Sequence, residues 1–570
     1  MHVVTTRRQH GDRVYETHLL RRSYREDGKV KNQTLGNLSH LPPAAIEAVK
    51  AVLRGQTLVP AGAGFECLRS LPHGHVAAVT AMAGKLGFPR LLGEACPARD
   101  IVFALLVARV VRPASKLATR RWWKDTTPAA DLKLAHVSKD DVYTALDWLL
   151  ARQDAIEAAL ARKHLANREV ALFDVSSSWV TGRCCPLAAY GYSRDARHDY
   201  PQITYGLLGD RTGRPVAIRV HDGNTADPVI FTEVPGLLKD TFKLREVIVV
   251  GDRGMLTTAR IDALRDLGGI GWVSALRAPA VAALAADNGP LQRTLFDVED
   301  LAEISHPDYP DERLVACYNP ALAGQRARKR ADLLAATETR LTALAARVHA
   351  GRLADPMKIA FAAGKITGKH KMAKHFTWTI DRATFAFSRD EASIAAEAAL
   401  DGIYVLRTNT PTATLPAADV VRTYKALAGL ERDFRSLKTV DLDFRPIRHH
   451  TKDRVRAHAL LCMLARYLLW HLEHAWAPLT FTDETPPERP NPVAAARRSQ
   501  AAAAKASSGR TTNDQPALAM HDLLDHLATL TRNTIHIPAT HATFDQLTAP
   551  TTTQRRAFEL LNTPIPQTLA

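Results

Sequence analysis

Long apolar runs are missing from this chain. No stretch reaches eighteen residues, and Met1 leads into His2-Val3-Val4-Thr5-Thr6-Arg7-Arg8 instead of an apolar signal core. Membrane spanning and export are both disfavoured, and a cytoplasmic location is expected. Cysteine is equally sparse: Cys67, Cys96, Cys184, Cys185, Cys317 and Cys462 are scattered, with no C-x-x-C spacing. That disfavours a structural zinc site and a disulfide framework. No internal repeat is evident. Acid is short relative to base, 59 Asp and Glu against 75 Lys and Arg, for a net charge of +16. A protein so charged is built to meet polyanions, with nucleic acid first among them, although charge alone does not separate DNA from RNA or anionic lipid. With 570 residues, the chain should hold two to four units with cores of their own.

The first forty residues alternate as strands around a turn at Asp27-Gly28 and read as a small basic β-hairpin unit over 1–41. From 42 to 165 apolar residues recur at helical spacing, which predicts a helical domain. Its basic stretch, Arg109, Arg112, Lys116, Arg120 and Arg121, is either a solvated face or a DNA contact. Short apolar runs then predict buried strands at Val170 to Phe173, Val247 to Val250 and Ile403 to Leu406, with a hairpin through Gln202 to Val220. The segment 278–400 reads as a domain inserted between two parts of the sheet domain, 166–277 and 401–475. It carries a long Ala/Leu helix and basic clusters at Arg326, Arg328, Lys329 and Arg330 and at Lys365, Lys369, Lys371 and Lys374. Residues 476–515 are rich in Pro, Ala, Thr and Ser and read as a flexible linker before a helical tail over 516–570.

Two of the apolar runs end in acids, Asp174 and Asp252, and the carboxyl ends of neighbouring strands in an open α/β sheet form a ligand-binding crevice. Either acid alone also reads as a strand-end or turn residue. A third acid, Glu431, lies on a helix expected from Pro416 to Lys438, on one stripe with Tyr424, Leu427, Phe434 and Lys438. That stripe should face the interior, where a carboxylate needs compensation; pairing with Lys438 is the bland alternative. Three converging carboxylates with no Cys/His cluster suit hard Mg²⁺ or Mn²⁺, and two such ions support in-line attack on phosphorus. His449, His450 and His458 read as phosphate or packing residues more readily than as metal ligands, and Trp272 as core.

These residues resemble the DDE transposases of bacterial insertion sequences, in the branch related to insertion sequence four. In that branch the third acid sits in a helix patterned Tyr-x2-Arg-x3-Glu-x6-Lys. Tyr424, Glu431 and Lys438 fall at the matching positions, while Leu427 replaces the Arg. The likeness extends to Phe173-Asp174, Gly251-Asp252-Arg253-Gly254-Met255, Gly191-Tyr192-Ser193-Arg194-Asp195, Gly223-Asn224-Thr225 and Leu406-Arg407-Thr408-Asn409, and covers roughly 165–470.

The resemblance implies an α/β fold, a ribonuclease H-like catalytic core interrupted by a mostly β insertion domain, with the β-hairpin and helical domain before it and the helical tail after it. It implies Asp174, Asp252 and Glu431 as the catalytic, metal-holding acids. Tyr424 and Lys438 would hold DNA phosphates, and Arg432 or Arg435 would stand in for the missing Arg. The implied activity is binding of the element's inverted-repeat ends, metal-dependent cleavage and joining of the 3′-hydroxyls to target DNA. A homodimer would serve as the synaptic unit, at the nucleoid of a bacterial cell, with the 42–165 domain binding the ends. A ribonuclease H-like nuclease without strand transfer, and a transposase-derived DNA-binding regulator, are the alternatives. The regulator's expected mark is a lost carboxylate, and all three are present.

Overall fold

In the computed structural model the described residues are all but 12, 57, 59–63, 166–168, 287–288, 382–383, 539 and 570. They form two compact units, one made of Met1–Gly74 and Ala528–Thr551, the other of His75–Leu527 and Thr552–Ala570. No helix among them is long and apolar enough to cross a membrane.

The first unit holds an antiparallel sheet of His2–His10, Arg13–Glu26 and Lys29–Asn37, followed by the helix Pro43–Leu53. It also holds a second three-stranded sheet in which Thr531–Ile537 lies between Ala542–Leu547 and Glu66–Pro72. This corrects two expectations: residues 42–165 are not wholly helical, and 516–570 is not a purely helical tail. The partners are far apart in sequence, so local periodicity carries no trace of the pairing that stabilises these short strands.

An eight-stranded mixed sheet organises the second unit. From one edge its strands are Leu301–Ile304, Arg313–Tyr318, Ile403–Thr408, Ile270–Ala275, Val247–Val250, Val170–Trp179, Gln202–Asp210 and Pro215–Asp222. Val170–Trp179, Val247–Val250 and Ile270–Ala275 run parallel, and every other neighbouring pair is antiparallel. The central strands are apolar because both faces are covered: all of Val247–Val250 and all of Gln202–Asp210 are buried. The helix Lys452–Ala475 packs on Pro215–Asp222 and on the helices Pro97–Val111 and Lys139–Leu150, and is buried along most of its length.

The segment 278–400 is mostly helical, not mostly β. It contains Ala278–Leu284, Pro320–His349, Pro356–Lys369 and Glu391–Ala398, and one hairpin of Phe376–Asp381 with Thr384–Arg389. Its other two strands, Leu301–Ile304 and Arg313–Tyr318, extend the main sheet. Leu334, Leu341, Leu344 and Val348 face Ile359, Ala363, Phe376 and Phe385, so the two long helices and the hairpin share a core.

Residues 476–515 are ordered, contrary to the linker expectation. Trp476 is fully buried and donates from Nε1 to the Ala557 carbonyl at 3.0 Å. Ser499 caps the helix Gln500–Ser508, and buried Lys505 donates to the carbonyls of Ala477 (2.9 Å) and Thr482 (3.1 Å) and to Glu484 (2.9 Å). Polar bonds to the backbone supply what the apolar composition lacks.

The basic stretch of the helical region is partly interior. Arg109 is buried and donates to the carbonyls of Leu442 (3.3 Å) and Ala114 (2.9 Å). Lys116 Nζ lies 3.0 Å from Nδ1 of buried His458, whose ring stands 5.0 Å from that of His449. Burial drives the Lys116 ammonium far below its usual range, and His458 likewise; burial first, then the charges of Lys116 and Arg109, push His449 down to about 3.

What seats the Glu431 helix, Leu427–Arg435, is a backbone-to-backbone contact. A Cβ on Gly429 would lie 3.0 Å from the Gly213 Cα in the turn before Pro215–Asp222, and a Cβ on Gly213, at φ +84°, would lie 3.0 Å from the Gly429 Cα. Buried Leu430 sits over Gly209, where a Cβ would come within 2.8 Å of it. A buried ion network anchors the same face of the helix one turn further on. Arg466 donates to Asp433 at 2.7 Å and to both oxygens of Glu473 at 2.7 and 2.8 Å. Breaking such a network from one side costs about 3–5 kcal/mol.

Two outcomes follow from this packing. Gly429→Ala should destabilise the protein by about 1–3 kcal/mol through overpacking, despite alanine's better helix propensity. Gly364→Ala, in a helix with no neighbour within 4 Å, should be neutral or stabilise by about 0.5–1 kcal/mol. Denaturant titration of the two variants checks the contrast. Because folded His449 titrates near 3 and the unfolded side chain near 6.5, the unfolded state binds the extra proton in between. Stability is then full above about pH 6.5 and falls towards pH 3, by at most about 1.4 kcal/mol per pH unit from this group. The melting temperature of His449→Gln should fall less between pH 7 and pH 5 than that of the unsubstituted protein.

Candidate active site

The parallel register brings the first two acids level. Leu172 pairs with Val250, and Asp174 and Asp252 each lie two residues further on, Asp174 within its strand and Asp252 just past the end of its own. The strand does not end at Asp174, as its apolar run suggests, but continues to Trp179 through buried Ser176, Ser177 and Ser178. These serines are tolerated because they find partners on other segments: Ser177 Oγ accepts from the Arg194 amide at 3.0 Å, and Ser178 Oγ meets Tyr205 Oη at 3.0 Å.

The third acid arrives on a broken helix. The stretch expected as one helix is Ala417–Lys425, a break at Ala426, Leu427–Arg435 and a wider turn, Ser436–Val440. Its interior face is Leu430, Asp433, Phe434 and Leu437. Of the expected stripe Phe434 and Lys438 are buried and Tyr424 and Leu427 half-buried, but Glu431 is exposed at the border of that face, which corrects the expectation that it points inward with them. The bland pairing with Lys438 is not found either. Lys438 is 9% exposed and donates to Asp195 at 2.8 Å, and Arg445 also pairs with Asp195.

Asp174, Asp252 and Glu431 line one cavity of about 320 Å³, together with Arg194, Asp227 and Lys438. Asp174 is held by its own neighbour, the Val175 amide donating to Oδ1 at 2.8 Å. Burial, reinforced by the charges of Asp252 and Glu431, pushes the Asp174 carboxyl up to about 7 against the opposing pull of that amide and of Arg194. Tyr424 donates to Asp252 Oδ1 at 3.4 Å, and burial raises its phenol above the usual range. Arg435 is exposed, as are Arg432 and His450. The cavity therefore collects carboxylate oxygens with too few cations to neutralise them. Among the described residues no group of three His, Cys, Asp or Glu side chains is arranged to hold a metal ion as it stands.

Arg194 and Asp227 were not singled out from sequence. Arg194 donates to both Asp227 oxygens, at 2.7 and 2.6 Å, on the cavity wall. The signal was present in the charged phrase Arg194-Asp195, whose members turn to different partners. The glycine phrases around it are a close approach: a Cβ on Gly191 would lie 2.2 Å from the Gly223 carbonyl oxygen. Leu406-Arg407-Thr408-Asn409 is a splice between strands, with Thr408 Oγ1 donating to the Trp272 carbonyl at 2.6 Å and Asn409 Oδ1 accepting from the Trp272 amide at 2.9 Å. Trp272 itself is fully buried.

Compared with known proteins, the chain matches two family models. Residues 186–468 match the transposase DDE domain, a segment that contains Asp252 and Glu431 and begins beyond Asp174. Residues 2–60 match the N-terminal domain of IS1634 family transposases. No curated protein matches. With a cavity in which acids from separated segments meet, and with family matches on both sides of the first of them, the chain belongs to the DDE transposases of insertion sequences.

Proposed function

We propose that the protein binds the inverted-repeat ends of its element, cleaves them by metal-dependent phosphodiester hydrolysis and joins the 3′-hydroxyls to target DNA. The observation that carries this reading is the convergence of Asp174, Asp252 and Glu431 on one cavity that also holds Arg194 and Lys438. The strand order at its heart supports a ribonuclease H-like core: three antiparallel strands, of which the inner edge strand bears Asp174, followed by two parallel ones. The presence of all three acids favours an enzyme over a DNA-binding regulator.

The donor set fits a divalent cation, since carboxylate oxygens line the cavity and neither Cys nor His does. Asp174, Asp252 and Glu431 would hold it; burial, with a smaller push from the charges of Asp252 and Glu431, raises the Asp174 carboxyl to about 7, and a bound cation would favour its ionised form. Bound there, one or two Mg²⁺ or Mn²⁺ ions would activate the attacking hydroxyl and stabilise the leaving oxygen. The chain's own groups do the positioning. The Val175 amide and the Tyr424 hydroxyl orient the two aspartates, and Arg194 and Lys438 offset phosphate charge at the cavity wall. Lys438 has three donors, of which Asp195 engages one, so it retains capacity for a DNA phosphate. Tyr424, exposed Arg435 and Lys438 are the proposed backbone contacts at the cleaved end, with Arg435 or Arg432 supplying the charge that Leu427 lacks. Synapsis of two ends makes a homodimer the expected working unit.

Asp174→Asn, Asp252→Asn and Glu431→Gln should each lower cleavage of an end fragment by about 100-fold or more while leaving end binding nearly intact. Nicking and gel-shift assays on the DNA bordering the coding region separate the two, and full cleavage by any variant removes that residue from the site. Cleavage should need Mg²⁺ or Mn²⁺ and fail in Ca²⁺ or EDTA, because Ca²⁺ takes a looser, higher coordination. Lys438→Ala should weaken end binding and lower its salt-dependence slope by about one. An unchanged slope with a lowered melting temperature would mean that Lys438 only balances Asp195.

A further inference from the structure

A second cavity, of about 540 Å³, shares a wall with the acidic one. The loop after Val250 lines both: Asp252 and Met255 face the first, and Arg253, Leu256, Thr257 and Thr258 face the second. The two differ in sign. The acidic cavity sets Asp174, Asp227, Asp252 and Glu431 against Arg194 and Lys438, whereas the second sets Arg253, Arg265, Arg277 and Arg407 against Asp308 and Glu312.

The arginines of the second cavity are of two kinds. Arg407 and Arg265 are committed, since both donate to Glu312, at 2.6 and 2.8 Å, and Arg407 is further clamped between the rings of Trp272 (5.2 Å) and Tyr309 (5.1 Å). They neutralise Glu312 and stiffen the wall. Arg253 and Arg277 are exposed and enter no ion pair with the acids of this cavity. Asp308, the remaining acid, is exposed and lies 3.7 Å from His306. Buried Leu256 and Leu276 form an apolar floor beneath these charges.

We propose that this cavity is a strand-binding subsite that takes the backbone phosphates of DNA next to the reacting phosphodiester, held by Arg253 and Arg277. The inference rests on the transposase reading above, which supplies a strand at Asp252; the next residue along the chain then points a guanidinium at the adjoining nucleotide. Guanidinium suits phosphate because its planar donors engage two oxygens at once. The strand that fills it is either the DNA flanking the uncleaved end or the target strand that receives the 3′-hydroxyl. Both present the same phosphate chemistry.

The test uses the full-length protein and Arg253→Ala, Arg277→Ala and Arg277→Glu, with the melting temperature of each measured first. Binding is followed against salt on three probes: the terminal duplex with its outside flank, the same duplex pre-cut at the end, and the pre-cut duplex with target DNA present. Each alanine variant should lower the slope of log affinity against log salt by about one on the probe that fills the cavity. Loss on the flanked probe alone identifies the flanking strand, and loss only when target is added identifies the target strand. Strand-transfer yield on pre-cut ends should fall with Arg277→Glu in the second case and hold in the first. Unchanged slopes for all three variants on all three probes, with the unsubstituted protein binding and cleaving normally, would overturn the subsite and leave the transposase reading standing. No binding or cleavage of the terminal duplex by the unsubstituted protein would overturn both.

Discussion

The parallel pairing of Val170–Leu172 with Ile248–Val250 is the constraint on which the site depends. It brings Asp174 and Asp252, each two residues past a shared register, to one cavity, where each charge disfavours ionisation of the other. The rest of the second unit absorbs that cost or exploits it. Both faces of the sheet are covered, so the strands cannot separate to relieve the repulsion. Burial above all, with the charges of Asp252 and Glu431 adding to it, leaves a carboxyl on Asp174 that holds its proton to about pH 7.

Glu431 reaches the same cavity by a different route, because nothing in the sheet register controls a helix that follows it in sequence. Its position is fixed at two points one turn apart on the buried face of its helix. The Gly213–Gly429 contact lets two backbones meet where any side chain would intervene, and Asp433, two residues beyond Glu431, is tied through Arg466 to the long buried helix. Arg466 is 5% exposed and engages two carboxylates, so it carries its partners into the interior instead of adding one more surface pair. The third acid thereby stays at the border of a packed face, reachable from solvent, while its neighbours bury.

Charge is sorted at a finer scale than the net +16 suggests. Arg109 and Lys116, which read as surface cations, are interior, and Lys438 is largely committed to Asp195. The cations left facing solvent near the acids include Arg253 and Arg277 on the far wall of the Asp252 loop. On the proposed reading a strand of nucleic acid would pass from carboxylates to guanidiniums within one loop, which would let the site hold a polyanion and still keep an acidic centre.

The sequence by itself determined what short-range physics controls. The apolar runs Val170 to Phe173 and Val247 to Val250, the hairpin around Asp210 to Gly213, the long Ala/Leu helix within 278–400 and the three acids were all legible, because each depends on neighbours within a few residues. Tertiary structure alone decided where those pieces meet. It extended the Asp174 strand to Trp179, since buried serines there find partners on other segments. It broke the Glu431 helix at Ala426 and left Glu431 itself at the border of the core, since Leu430, Asp433, Phe434 and Leu437 form the buried face. Residues 476–515 gained order from the Trp476 bond to the Ala557 carbonyl and from Lys505 bonds to carbonyls earlier in the same segment, and the strands near 66–72 and 531–547 gained it from each other. A pairing between residues hundreds of positions apart leaves no period in either segment, so composition and spacing had nothing to register, and only the folded chain could supply it.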